Sequence, residues 1–404
     1  MKQEPFRIAI AGLGTVGTGV VQLLRSNAST IAARSGRPIE IAVLCDRDKN
    51  RERGFRPDEY NWADDARKLP EMEGLDAIVE LIGGADGIAY DLAKATLGKW
   101  INIVTANKAM LAHHGTELAE LAERKGARIG YEASVGGGIP IIKSLREGLA
   151  ANNVVSVHGI LNGTCNYILT QMQKTGGDFG DILKEAQKAG FAEADPSFDI
   201  DGIDTAHKLT VLAALAFNTQ PDFKSVPTKG IRDVIGTDIK AAESFGYRIK
   251  LLAVAQRGQD GKITRSVEPC LVPKDSALGG VEGSNNAIMI EGDFVQKVTT
   301  IGLGAGRNAT ASAVVADIID MARGDKTMFK PMFGVPAQKL AKPEWGDPAA
   351  REGKYYLRMQ AKGAFSGALD PSATVDGFEC GITAENIKKS EIPSGAFSLR
   401  VEPL

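Results

Sequence analysis

The sequence predicts an α/β protein with an N-terminal doubly wound parallel sheet, an α+β region after it and a short C-terminal tail. Three observations predict it. Short apolar runs alternate with helical patterns up to about residue 135, the rhythm of a parallel sheet covered by helices. The first run, FRIAIA (Phe6 to Ala11), passes through Gly12-Leu-Gly14-Thr-Val-Gly17 into a helical pattern that ends near Leu24. After Pro221 strand patterns dominate, at 251–256, 264–272, 287–291 and 295–301.

Composition bounds the function. The chain has 404 residues, 43% hydrophobic and 24% charged, enough for two or three packed cores. Its formal charge of -2 is not gathered into blocks of either sign, so no nucleic-acid or anionic-membrane partner is expected. A small-molecule substrate is. Cys45, Cys165, Cys270 and Cys380 are scattered without CxxC spacing, which suits a reducing cytoplasm better than a disulfide framework or a zinc site. No segment reaches the ~18 apolar residues of a membrane span, and the N-terminal apolar run is too short for a signal peptide.

The first strand, glycine turn and helix carry the first chemical signal. In a Rossmann dinucleotide fold three such glycines serve a tight turn, close approach to a pyrophosphate and close helix packing. Gly12, Gly14, Thr15, Val16 and Gly17 are therefore cofactor-binding candidates. The second strand, Ile39 to Cys45, ends at Asp46-Arg47-Asp48-Lys49, where an adenosine ribose is read. An acid there favours NAD and an arginine favours NADP. Arg47, Lys49 and Arg51 against Asp46 and Asp48 tip the expectation to NADP through Arg47, with NAD as the alternative.

Further parallel strands are expected at 76–83 and 100–104, the latter ending in Thr105-Ala-Asn-Lys108 at the ligand edge of the sheet. Helices are expected at 87–97 and 116–125, and a strand at 127–132. Ser134-Val-Gly-Gly-Gly138-Ile-Pro140 brings backbone close to a ligand, an ion or another segment, and Glu132 with nearby carbonyls suits a hard cation. A helix at 141–150, a strand at 154–161, a polar loop at 162–166 and helices at 167–174, 181–188 and 205–217 follow. Gly302-Leu-Gly304-Ala-Gly306 leads into a last helix at 311–321, returning the chain to the first domain. The tail shows one clear strand, at 354–360.

The densest polar stretch is GFAEADPSFDIDGIDTAHK, from Gly190 to Lys208, directly before the apolar run LTVLAALAF. Were its helix to start near Asp201, Asp204 and Lys208 would share a face, four residues apart. An N-cap with an ordinary surface ion pair is the plain alternative.

Together GLGTVG, TANK, YEASVGGGIPII, ILNGTCNYIL, GFAEADPSFDIDGIDTAHKL and GLGAG, in that order over residues 6 to 325, resemble homoserine dehydrogenases. That family reduces L-aspartate 4-semialdehyde to L-homoserine with NAD(P)H, on the route to threonine, methionine and isoleucine. The resemblance implies Lys208 as catalytic acid/base and Lys108 at cofactor and substrate. Glu193, Asp204 and Gly190 would hold substrate, while Thr105, Gly190 and Gly304 would meet cofactor. A sodium ion would sit on Glu132 and the carbonyls of Val135, Gly137 and Ile139, in a homodimer or homotetramer.

It divides the chain into a dinucleotide-binding domain at 1–135, completed by about 302–325, a substrate-binding and dimerisation region at 136–301, and an extension at 326–404 like a partial or degenerate ACT domain. Cys165 and Ala309 replace a frequent threonine and proline. Cys165 raises the competing reading of a thiol nucleophile. A dehydrogenase for another amino acid semialdehyde or hydroxy acid would share the glycine loop but not the Glu193, Asp204, Lys208 set, and a non-catalytic nicotinamide sensor, the other rival, would need no Lys108 and Lys208 pair.

Overall fold

The computed structural model describes residues 4–324, 331–360 and 369–404. They form two compact units: 1–152 with 210–223 and 303–343, and 153–209 with 224–302 and 344–404.

The first unit holds a six-stranded, wholly parallel sheet: β1 (Phe6–Ala11), β2 (Ile39–Cys45), β3 (Asn61–Ala63), β4 (Ala77–Glu80), β5 (Asn102–Thr105) and β6 (Ile129–Gly130). Their order in space is β3-β2-β1-β4-β5-β6. The order reverses between β1 and β4, which is where such sheets open a crevice at their carboxyl ends. The expected Rossmann sheet is thus present. Helices α1 (Thr15–Ser26), α2 (Ala28–Ser35), α3 (Ile88–Gly98) and α4 (Lys108–Lys125) connect the strands. Ile8, Ile10, Val20, Val21, Leu44 and Val79 form one core with Val314 and Ile318 of the helix Arg307–Ala322. Gly19 permits that contact, because a Cβ there would lie 2.8 Å from the Arg307 carbonyl oxygen.

Several elements depart from expectation. The helix expected from Thr116 begins at Lys108, because Asn107 caps it by accepting from the Met110 amide at 3.0 Å. His113, His114 and Gly115 interrupt the apolar period and hide its first turns. Gly115 is required there, since a Cβ would meet the Phe333 ring at 3.0 Å and Pro221 at 3.1 Å. The helix expected at 141–150 is a short α5 (Ile141–Lys143) followed by a π-helical turn through Gly148. No reading of the sequence anticipated α2 or β3.

The second unit is built on a mixed sheet. Its strands are β7 (Val154–Ile160), β8 (Tyr247–Arg257), β9 (Ile263–Pro273), β10 (Asn285–Gly292), β11 (Gln296–Leu303), β12 (Trp345–Gly346), β13 (Tyr355–Met359), β14 (Leu369–Val375), β15 (Phe378–Thr383) and β16 (Phe397–Val401). The order is β11-β10-β7-β8-β9-β16-β13-β15-β14, with β12 beside β9. The tail therefore contributes strands to this sheet: β16 pairs in parallel with β9 through Arg400 and Val401, and antiparallel with β13. Tyr356, fully buried, donates to Asp238 at 2.8 Å and pins β13 to the helix Gly236–Ser244. Pro371, Gly377 and Gly381 break the alternation that would have marked β14 and β15 in the sequence. Helices α6 (Gly163–Thr175), α7 (Phe179–Lys188), α8 (Ser197–Ile200) and α9 (Ile203–Phe217) carry the polar stretch and its neighbours. Among the described residues no helix is long and apolar enough to cross a membrane.

Candidate active site

At the carboxyl end of β1 the glycines divide their work as their spacing implies. Gly12 has φ +96, and a Cβ there would lie 2.5 Å from the Leu81 carbonyl oxygen. A Cβ on Gly17 would collide with the Gly12 carbonyl, so α1 can pack this close only on glycine. Gly14 caps α1 and faces open space, with nothing within 4 Å of a Cβ built on it. Exposed Thr15 and half-buried Val16 open the helix, whose first amides have no helical partner and are suited to a diphosphate.

Asp46, at the end of β2, turns inward. Its Oδ2 accepts from the Leu13 amide at 2.6 Å and lies 3.6 Å from the buried guanidinium of Arg53. Burial pushes its carboxyl up, but the amides of Leu13 and Asp48 and the Arg53 charge outweigh that and hold it below the usual range. Arg47 is exposed beside it. Arg53 also donates to the Leu13 carbonyl at 3.3 Å, so one cation ties the strand end to the glycine turn. Nothing local marks this role of Arg53, because its partner lies forty residues away.

At β4 and β5 the Thr105 hydroxyl donates to buried Glu80 at 2.5 Å and accepts from the Asn107 amide at 3.0 Å. Glu80 in turn accepts from the amides of Ile82 and Gly83, at 2.8 and 3.0 Å. Thr105 is therefore placed as a brace between strand ends. Asn107 caps α4 and donates to the Gly84 carbonyl at 2.7 Å, leaving Lys108 as the first residue of α4, half-buried. A cation at a helix N-terminus opposes the helix dipole, so packing and propensity alone do not account for this lysine.

Glu132 is buried, and its two oxygens accept from the Ile142 and Lys143 amides at 2.8 and 2.9 Å. Burial and the neighbouring Asp317 carboxylate push its carboxyl up to about 7. Val135 and Ile139 are buried beside it in sequence, and Gly137 has φ +55. A Cβ on Gly137 would lie 2.5 Å from the carbonyl of buried Gly304, so the two glycine turns touch backbone to backbone. Each Glu132 oxygen has spent one lone pair on an amide and keeps the other. Among the described residues no group of three His, Cys, Asp or Glu side chains could hold a metal ion.

In the second unit the five carboxylates of the polar stretch separate by role. Asp195 accepts from the Ser197 amide at 3.1 Å and shapes the turn at Pro196. Asp201 ends α8 and pairs with Arg232. It is not the cap of α9, which starts at Ile203 and places Asp204 second in the helix. The Asp204 to Lys208 spacing does produce a pair, with Lys208 Nζ 2.7 Å from Asp204 Oδ2. Both residues are buried, 5% and 8% exposed, so this is no ordinary surface ion pair. Lys208 also donates to the Leu161 carbonyl at 2.6 Å.

Asn162 caps α6 by accepting from the Cys165 amide at 2.8 Å. Its Nδ2 donates to Asp199 at 2.8 Å and to Asp204 at 2.9 Å. Thr164 donates to Asp199 at 3.1 Å. Asn162, Thr164 and Asp199 were not among the residues read as site residues. The signal was an Asn three residues before Cys165, the spacing of an N-cap, and the expected loop at 162–166 is in fact that cap and the first helical turn. Glu193 and Gly190 lie exposed between α7 and α8, Gly190 with φ +77, while Gln187 holds the Glu193 main-chain carbonyl at 3.0 Å. Cys165 is fully buried, and burial with the nearby Asp199 and Asp204 charges pushes its thiol well up. A thiol so placed is a poor nucleophile.

Over most of its length the chain is similar to known proteins. Residues 12–132 match the family model described as homoserine dehydrogenase, NAD binding domain, and residues 140–319 match the model described as homoserine dehydrogenase. A homoserine dehydrogenase of Neisseria gonorrhoeae is 44% identical over 363 residues, 89% of this chain and 82% of that protein. One of Pseudomonas aeruginosa is 42% identical over 393 residues, 96% of this chain and 89% of its own. Among solved structures, a homoserine dehydrogenase from Thiobacillus denitrificans superposes with a TM-score of 0.92 at 35% identity, covering 100% of this chain and 99% of the other. A hyperthermophilic archaeal homoserine dehydrogenase in complex with NADPH gives 0.67 at 29% identity, over 78% of this chain and 97% of the other.

Proposed function

The chain belongs to the homoserine dehydrogenase family and is an NAD(P)-dependent oxidoreductase of amino-acid biosynthesis, and from that premise we propose that Lys208 moves the proton in its reaction. The observation that carries this is the buried Asp204–Lys208 pair. Burying two charges costs more than such a pair usually returns, so the fold gains little stability from it and the pair is explained better by chemistry.

Gly12, Gly14 and Gly17 would hold a reduced nicotinamide cofactor, whose chemistry would be hydride supply to the aldehyde carbon of L-aspartate 4-semialdehyde. Lys208, held by Asp204 and the Leu161 carbonyl, gives a proton to the oxygen as it becomes an alkoxide, yielding L-homoserine. In the reverse direction it takes that proton back. Glu193 and Asp204 receive the amino acid, a carboxylate being the partner an ammonium group requires. Roles at substrate and cofactor for Gly190 and Lys108 rest on the family's pattern alone. A homoserine-dependent rise in reduced-nicotinamide absorbance that Asp204→Asn abolishes tests this reading. Equal activity in the variant would remove the pair from the chemistry.

For the cofactor we infer NADP over NAD. Asp46 is engaged by the glycine turn and by Arg53, while Arg47 stands exposed for a 2'-phosphate. Gly12, Gly14, Thr15, Val16, Gly17 and Gly304 would receive the rest of the dinucleotide, with Thr105 bracing the strand end. Glu132 and the carbonyls of Val135, Gly137 and Ile139 would take a sodium ion.

Cofactor binding is assigned to 1–135 with 302–325 and substrate binding to 136–301. No chemistry is assigned to 326–404. We place the protein in the cytoplasm, where four buried free thiols persist unpaired. Edge strand β11 and its approach leave Phe294, Ile301 and Leu303 at 86%, 54% and 56% exposure, which supports a homodimer, or a homotetramer of two such pairs.

A further inference from the structure

We infer that Asn162 is a positioning residue for Lys208, setting the direction of the lysine through Asp204. This rests on the reading of Lys208 as the group that moves the proton. Asn162 is 5% exposed, and its side-chain bonds to Cys165, Asp199 and Asp204 lie inside the second unit.

Its carboxamide orientation is fixed by the chain itself. Oδ1 accepts from the Cys165 amide, so Nδ2 must face the other way, toward two carboxylates. The two amide protons are divided between Asp199 Oδ1 and Asp204 Oδ2. The Asp204 oxygen that Asn162 holds is the same atom that Lys208 Nζ contacts at 2.7 Å.

This arrangement does something a plain helix cap does not. Two carboxylates near one another repel, and each would turn toward the nearest cation. A neutral amide between them satisfies both without adding charge, so neither has to compete for Lys208 to be hydrogen-bonded. Lys208 is then held from two sides, by Asp204 and by the Leu161 carbonyl, immediately before Asn162 in the chain. The cap of α6 and the aim of the lysine are thus set by one side chain. Rotation of Asp204 by loss of Nδ2 would displace Nζ, and displacements of about 1 Å at a reacting group reduce rates up to about a hundredfold.

The cap and the bridge can be separated. Serine and aspartate are both good N-caps, so Asn162→Ser and Asn162→Asp keep α6 capped while removing the amide donors, whereas Asn162→Ala removes both functions. The expected result is a fall in kcat of about tenfold in Asn162→Ser, with an unchanged KM for NADP and a melting temperature close to wild type. Wild-type kcat in Asn162→Ser overturns the inference and leaves Asn162 as a cap only. Lys208→Ala is measured alongside. If it is fully active, the reading of Lys208 fails and this inference with it. If it is inactive while Asn162→Ser is normal, only the positioning role is lost.

Discussion

Lys250 offers a prediction whose size follows from its surroundings. It sits on β8, 2% exposed, with Nζ donating to Asn166 Oδ1 at 3.1 Å and to the Val281 carbonyl at 2.5 Å. Burial pushes its ammonium down to about 8, with Glu282 opposing and Arg248 and Lys174 adding to the fall. The sign follows from linkage. Below pH 8 the lysine is charged in both folded and unfolded chains and the burial penalty is constant. Between pH 8 and the unfolded value of 10.5 only the unfolded chain keeps its proton, so stability rises with pH. The span corresponds to about 3 kcal/mol at ~1.4 kcal/mol per pH unit.

In Lys250→Met that rise is absent, whatever offset arises at neutral pH from leaving the Asn166 and Val281 oxygens with fewer donors. Urea unfolding of both proteins at several pH values from 7.5 to 10.5 reads the difference directly. Wild type should gain on the variant by about 3 kcal/mol across that range. Parallel stability curves would show that the lysine is not desolvated in the fold, and would refute the reasoning.

Three further outcomes are expected. Glu193→Gln keeps shape and loses charge, so KM for homoserine should rise about tenfold with little change in kcat; lost turnover at constant KM would make Glu193 catalytic instead. Arg47→Ala should lower kcat/KM with NADP by about tenfold and leave NAD almost unaffected; an NAD preference indifferent to Arg47 would mean that Asp46 sets the choice. Cys165→Ala should keep activity within about twofold, at a modest cost in melting temperature for a small cavity, whereas inactivation without unfolding would reinstate a thiol nucleophile.

What the sequence made legible depended on how local the cause was. Gly12, Gly14 and Gly17 are constrained by neighbours within a few residues, and their spacing shows it. Asp204 and Lys208 are four apart on one helix, and their pairing follows from the pitch. Their burial does not, because it is set by Leu161 and Asn162, more than forty residues earlier. Arg53 and Glu80 carry no sequence signal for the same reason: the partners that make them matter, Leu13 and Thr105, come from the glycine turn and from β5. The starts of α4 and α6 were placed late because apolar periodicity was weighed above the capping asparagines Asn107 and Asn162. In the tail, β14 and β15 lie where a proline and glycines interrupt the period of two, and only their pairing with each other and of β15 with β13 defines them.

Proton transfer by Lys208 is tested most directly by homoserine oxidation in Lys208→Ala, with NADP binding measured on the same preparation. Removing one partner of a buried pair costs about 3–5 kcal/mol, so circular dichroism must first show the variant folded. If Lys208 moves the proton, turnover falls by about a hundredfold or more with NADP affinity nearly unchanged. Turnover within about twofold of wild type in the folded, NADP-binding variant would contradict it.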